Sequence, residues 1–441
     1  MAEAWLNSSR ASAPGARSGV ALVLMVASGF AALGCQIVWT QQGALWLGHE
    51  SAAVLAVIAA FFGGLALGAW ALGPRIERSL RPARWYAACE AAIGLWSLAL
   101  IVLPTLAAPW LLALTGAQPG AARQWAVAFA GTFVLLLPAT MAMGATLPAM
   151  ERVLARWHGR GAALAALYAG NTAGAVLGVL ASAFWLVPAW GLMRTAVLCA
   201  LLNLVCAVIA WRWDDDAPAV PEQTAASRSP SSPASRSPLL LLAATGCLGI
   251  GYEVLVVRVL SQVTENTVYT FAMLLATYLV GTALGAAAWQ RWASLRPVND
   301  GQDRLLWALA GACLFGVVAL GLAPQIKAFT QHALVPSLAS ALIAEAALAA
   351  LVFLPATCVM GALFSQLSRS ALARGTSFGH ALAANTLGAA FAPPLFGVLL
   401  LPSVGAKAAL IGVVTCYLVL SASLSASLSA SLSASGRSLR R

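Results

Sequence analysis

The sequence predicts an all-α membrane protein of about twelve transmembrane helices in two parallel six-helix repeats. The first observation behind this is composition: of 441 residues, 61% are hydrophobic and 9% charged, with a mean hydropathy of +0.85. That is too apolar for a water-soluble domain, and the apolar runs repeatedly reach the roughly 20 residues that cross a bilayer. The second is a phrase that occurs twice. Leu137-Pro138-Ala139-Thr140 with Met143-Gly144-Ala145 returns as Leu354-Pro355-Ala356-Thr357 with Met360-Gly361-Ala362, a step of 217, and Asn171-Thr172 returns as Asn385-Thr386, a step of 214. Matching elements in one order point to a duplicated fold. The third is the placing of basic residues in short loops.

Taken in order, the chain opens with a polar segment, 1–18, carrying Arg10 and Arg17. The long apolar run behind it has no convincing cleavage site, so it is expected to remain as the first span. Helices are expected near 19–41, 51–73, 85–105, 124–150, 162–188 and 191–211, forming a first bundle over 19–213. A linker at 214–237, rich in Pro, Ser and Ala, is expected to be flexible and cytoplasmic. The second bundle, 238–420, is expected to hold helices near 238–260, 267–289, 304–323, 333–364, 376–400 and 403–420. A low-complexity tail, 421–441, follows and is too simple to build a core.

With the amino terminus inside, 20 of the 25 basic residues fall on cytoplasmic segments, among them Arg75, Arg78, Arg81 and Arg84, and Arg152, Arg156 and Arg160. This predicts an inner-membrane protein with both termini in the cytoplasm. The net charge of +11 therefore orients the chain and implies no nucleic-acid partner. Six spans per copy is an even number, so both copies enter the membrane the same way round, as in the two halves of major-facilitator transporters. A duplicated but inert membrane anchor is the alternative.

The repeated residues have physical content. Pro138 and Pro355 each remove a helical N–H, so the fourth and tenth spans are expected to be kinked or locally opened. Gly144 and Gly361 either serve such an opening or let neighbouring helices approach closely, and close packing is the favoured reading. Asn171 and Asn385 place an amide in hydrocarbon at equivalent points. They are candidates both for holding helices together and for touching a ligand.

Ionised groups are the most expensive residues in a span, by about 2.5 kcal/mol or more, and Glu90, Glu253 and Glu345 fall within apolar runs. Glu253 and Arg258 occupy the positions that Gln36 and Gln41 hold 217 residues earlier. One copy keeps charges and the other only amides. A Glu253–Arg258 structural pair competes with a coupling or cation-binding role, although a spacing of five suits direct contact poorly.

Gly251-Tyr252-Glu253-Val254 with Arg258, Ala-Leu-Gly at 66–68 and 283–285, the Pro-to-Met-Gly-Ala phrases and the Asn-Thr-x-Gly turns resemble the integral membrane region of spermidine-synthase-like membrane proteins, the fused major-facilitator/spermidine synthases. The resemblance spans roughly 19–420. In that family the membrane region is commonly followed by a soluble aminopropyltransferase-like domain. Here 21 residues follow Leu420, so that catalytic domain is expected to be absent and the polypeptide is expected not to be an enzyme. Gln36 and Gln41 also depart from the Glu and Arg common in the family's first half.

No cofactor or metal is implied. His49, His158, His332 and His380 show no catalytic or ligand spacing, and the eight Cys fall in apolar runs as small core hydrophobes. Trp46, Trp85 and Trp110 fall at span ends, where indoles anchor to the interface. Two functions remain. One is secondary transport of a small cationic, polyamine-like solute, using Glu90, Glu253 and Glu345. The other is a non-transporting membrane partner of a separate soluble aminopropyltransferase-like enzyme, docked on the arginine-rich loops at 75–84 and 152–160.

Overall fold

Backbone polar groups in hydrocarbon must be satisfied within their own segment, which selects helices for an apolar chain of this kind. In a computed structural model of the chain, which describes residues 14–47, 50–158, 162–213, 237–264, 267–293, 301–332 and 337–438, every described element is helical. The amino-terminal segment to residue 13, His49 and nearly all of the 214–237 linker lie outside the described residues, as do the side chains of His158 and His332.

The helices are α1 Pro14–Leu47, α2 Glu50–Glu77, α3 Pro82–Ala99, α4 Leu103–Thr115, α5 Ala121–His158, α6 Ala162–Ala181 and α7 Val187–Trp211. They continue with α8 Ser237–Leu260, α9 Val268–Ala293, α10 Gln302–Gly321, α11 Ala323–His332, α12 Leu338–Ala373, α13 Phe378–Ala392 and α14 Leu401–Ser438. Wider π-helical turns join α6 to α7 at Ser182–Leu186 and α13 to α14 at Pro393–Leu400.

Among the described residues nine helices are long and apolar enough to cross a membrane, ten if α3 and α4 count as one broken span. The chain is a multi-pass membrane protein. Two of the nine, Ala166–Trp211 and Phe378–Ser423, run for 46 residues each, about 69 Å of helix against a hydrocarbon core of roughly 30 Å. Both are interrupted by a glycine in a conformation closed to other residues: Gly191 at φ 77°, ψ 170° and Gly405 at φ 80°, ψ 161°.

Three features differ from the sequence expectation. The third span is not one helix over 85–105, because α3 ends at Ala99 and α4 leaves at 66°. Pro104, in the first turn of α4, has no N–H to continue the ladder from Leu100 and so begins a new helix. Neither Pro138 nor Pro355 interrupts its helix, α5 or α12. Two residues after each, the hydroxyls of Thr140 and Thr357 turn back to donate to Leu136 and Phe353 carbonyls at 2.9 Å. Finally, α14 runs past 420 to Ser438, since the Ser-Ala-Ser-Leu repeat offers helix formers and no proline.

The described chain forms two contact units: residues 14–213 with Ser377–Ala390, and residues 237–376 with Phe391 onward. Segment Ser377–Ala390 clusters with the first unit, where Gly379 faces Ala69 O and the Cα of Gly73 on α2. Within the first unit α2 crosses α5 without side chains between them. A Cβ at Gly64 would collide with the Thr140 hydroxyl, at Gly68 with Met141 O, and at Gly144 with Leu65 O. Within the second unit α9 crosses α12 through Gly281 on Thr357, Gly285 on Cys358 O and Gly361 on Thr282 O. Every one of these six contacts has its counterpart 217 residues away. Outward-facing apolar side chains, such as Val23, Leu45, Val134 and Leu284, complete surfaces suited to lipid.

Candidate functional site

Hydroxyls in these helices mostly hide by donating to a carbonyl one turn back, as Thr172, Thr195, Thr277 and Thr386 do at 2.8 Å. Polar groups that stay buried without such a bond are therefore the ones to account for. In the first unit they concentrate where α1, α3 and α7 meet.

Close approach again shapes the place. Gly94 on α3 lies against Ala200 O and Leu204 of α7, and Gly34 on α1 against Ser182 and Cys199. The Tyr86 hydroxyl crosses from α3 to Leu24 O of α1 at 3.3 Å, and Cys35 Sγ reaches Ser97 Oγ at 3.8 Å. One turn after Tyr86 on the same face stands Glu90, fully buried. Ser28, Tyr86 and Cys206 are its polar neighbours. Neither of its oxygens has a hydrogen-bond partner of acceptable geometry among the described residues. Nor do Asn203 Oδ1 and Nδ2 or Ser182 Oγ, both residues also fully buried.

A bare carboxylate in such surroundings is untenable as a structural element, and it needs a proton or a cation to neutralise it. The Glu90 carboxyl, the Asn203 amide and the Ser182 hydroxyl each keep hydrogen-bonding capacity that no bond of acceptable geometry among the described residues takes up. A carboxyl in this setting has the chemistry to exchange a proton or to meet an ammonium group.

The second unit places its acids differently. Glu253 on α8 is buried. Arg258 lies exposed on the last turn of α8. Five residues put the two about 140° apart around the helix and roughly 7.5 Å apart along it. Beside Glu253, Tyr252 donates to Val352 O at 3.1 Å and packs edge-on against Phe353. Glu345 on α12 is buried but tied down, accepting from Thr270 Oγ1 at 2.8 Å.

Of the other sequence candidates, Gln36 is buried on α1 and Gln41 half-buried. Asn171 and Asn385 are half-buried, and Gly29 of α1 rests on the Asn171 carbonyl. Seven of the eight cysteines are at least half-buried, but Cys416 is exposed on α14, so it faces outward rather than into a core. His380 meets Ser377 Oγ at 2.7 Å at the start of α13. Among the described residues no group of three His, Cys, Asp or Glu side chains is placed to hold a metal.

Sequence reasoning passed over Asn203, Tyr86 and Ser182. Asn203 carried the same signal as Asn171, an amide inside the apolar run Leu201-Leu202-Asn203-Leu204-Val205. Tyr86 carried another, standing four residues before Glu90. No family model matches the chain, and a search of curated proteins finds no match either.

Proposed function

We propose that this chain is a secondary transporter that moves a small cationic, polyamine-like solute across the inner membrane. The observation that carries the reading is Glu90: a fully buried carboxylate with no basic side chain among its neighbours Ser28, Tyr86 and Cys206 and no hydrogen bond of acceptable geometry among the described residues, which stability alone does not favour. Glu253, a buried acid of the second unit, is the other candidate.

Several features support the framework. Six glycine contacts related by a step of 217, and breaks at Gly191 and Gly405 related by 214, support an ancestral duplication. Dividing the two 46-residue stretches at those glycines, with α3 and α4 as one span, takes the count to twelve. That number suits a major-facilitator-like pair of parallel repeats and the membrane region of the spermidine-synthase-like proteins, and the loop charges support a cytoplasmic position for both termini. A cysteine introduced at Ser79 should then be labelled from the cytoplasmic side alone.

The test is uptake of labelled spermidine or putrescine into proteoliposomes. Flux that is lost in Glu90→Gln while the protein stays folded supports transport, and absence of any flux with folded protein rejects it. One observation favours a second reading. Arg75, Arg78, Arg81 and Arg84 are all exposed on one short stretch, a basic surface on which a soluble aminopropyltransferase-like enzyme could dock. Co-purification of such an enzyme without flux would favour that partner role.

A further inference from the structure

At the α3–α4 bend of the first unit the turned-away α4 leaves a cleft between α1, α2 and α5 of about 20 Å³, room for one water-sized group. On α1, Trp39, Gln42 and Trp46 line it at spacings of three, four and seven, one face of a helix. Gly43, on the same face, keeps it open: a Cβ there would stand 3.4 Å from Ala53 Cβ and 3.9 Å from Trp46 Nε1. Pro104, the residue that makes the bend, closes one side, and Thr132 of α5 the other.

Thr132 is the telling residue. It is 3% exposed, and its hydroxyl lacks the bond to a carbonyl one turn back that Thr140, eight residues later on α5, does make. A hydroxyl with no partner on the described residues therefore lines a cleft beside two indoles and an amide. The lining holds no charged side chain. An anion would find neither a cation nor a cluster of backbone N–H groups. A primary ammonium head would find two electron-rich rings and two oxygen acceptors, Thr132 Oγ1 and the Gln42 amide oxygen.

We propose that this cleft is a docking site for a primary ammonium group, on the outer side of the membrane and ahead of Glu90. The assignment rests on the transport reading for its place in a pathway, while binding itself does not. The cleft accepts the head of an alkylamine rather than a whole solute, so it recognises the leading end of a linear amine.

The experiment is calorimetric titration of the full chain, in detergent, with putrescine and with 1,4-butanediol, its uncharged counterpart. Putrescine binding that exceeds diol binding, weakens about five- to tenfold in Thr132→Val, returns in Thr132→Ser and weakens in Trp46→Leu supports the site. Putrescine and diol binding alike, or Thr132→Val binding as wild type does, overturns it and leaves the cleft as a place for one water. Flux lost in Glu90→Gln with an unchanged KM in Thr132→Val rejects this site and keeps the transporter. Putrescine binding with the stated pattern but no flux keeps the site and rejects the transporter.

Discussion

Gly68 on α2 lies so close to the carbonyl of Met141 on α5 that a methyl group there would overlap the oxygen, and Gly285 on α9 meets Cys358 O on α12 in the same way. With lipid tails as apolar as leucine, helices associate through such backbone-to-backbone contact rather than by escaping water. Replacing either glycine by alanine must push the pair apart. Gly68→Ala and Gly285→Ala should each lower stability by about 1–3 kcal/mol, read as a lower unfolding midpoint in detergent. Gly311, on a face where a Cβ would meet nothing, is the control, and Gly311→Ala should leave the midpoint unchanged or raise it slightly. Equal damage at Gly311 and Gly285 would show that helix softness, not contact, is at work.

Glu90 should separate stability from activity. An unpaired buried carboxyl does not stabilise the bundle, and an apolar side chain of similar volume restores packing without the desolvation penalty. Glu90→Leu should therefore unfold at the same or a higher temperature than wild type, while amine uptake falls to background. Glu90→Gln should also stop uptake with the midpoint within about 0.5 kcal/mol of wild type, the range of an innocuous change. A sharply lowered midpoint in both variants would mean that the carboxyl holds the helices together.

Two tyrosines of the second unit make a matched pair. Tyr252 and Tyr417 are both fully buried, but Tyr252 donates to Val352 O at 3.1 Å, whereas the hydroxyl of Tyr417 has no partner among the described residues. Removing the first hydroxyl strands a buried carbonyl. Removing the second strands nothing. Tyr252→Phe should lose about 0.5–1.5 kcal/mol and Tyr417→Phe should be neutral or gain stability, compared by thermal unfolding under one condition.

These relationships show which parts of the molecule were legible beforehand. Hydropathy gave the class and most spans to within a few residues, because the bilayer imposes length and apolarity on every span alike. The paired phrases around Pro138 and Pro355 marked the helices that pack closely, and the favoured packing reading of Gly144 and Gly361 is what the contacts show. The prolines leave α5 and α12 unbroken, and the threonines two residues on meet the glycines of α2 and α9. Which partner a glycine meets depends on helix register, which no single sequence displays. The bend at Pro104 was also readable in principle, but an apolar run that continues through a turn hides it, since hydropathy has no direction. Glu90 stood out as a charge among apolar residues, while its neighbours Ser28 and Cys206, 62 and 116 residues away in sequence, became visible only when α1, α3 and α7 were brought together.

Glu345 completes the sorting of the buried acids, because its carboxylate has what Glu90 lacks. Thr270 Oγ1 donates to Glu345 Oε2 at 2.8 Å, and the same hydroxyl stands 3.3 Å from Thr267 Oγ1 and 3.4 Å from Thr267 N at the start of α9. One side chain thus ties α9 to α12 and caps the helix it belongs to. Hydrogen bonds to charged groups contribute about 1.5–3 kcal/mol, so Thr270→Val should lower the unfolding midpoint by that order and Thr270→Ser should restore most of it. Uptake by whatever Thr270→Val protein remains folded should keep the wild-type KM, since Glu345 acts here as a strut. If instead Thr270→Val is stable and its KM rises, Glu345 joins Glu90 and Glu253 among the groups proposed to meet the solute.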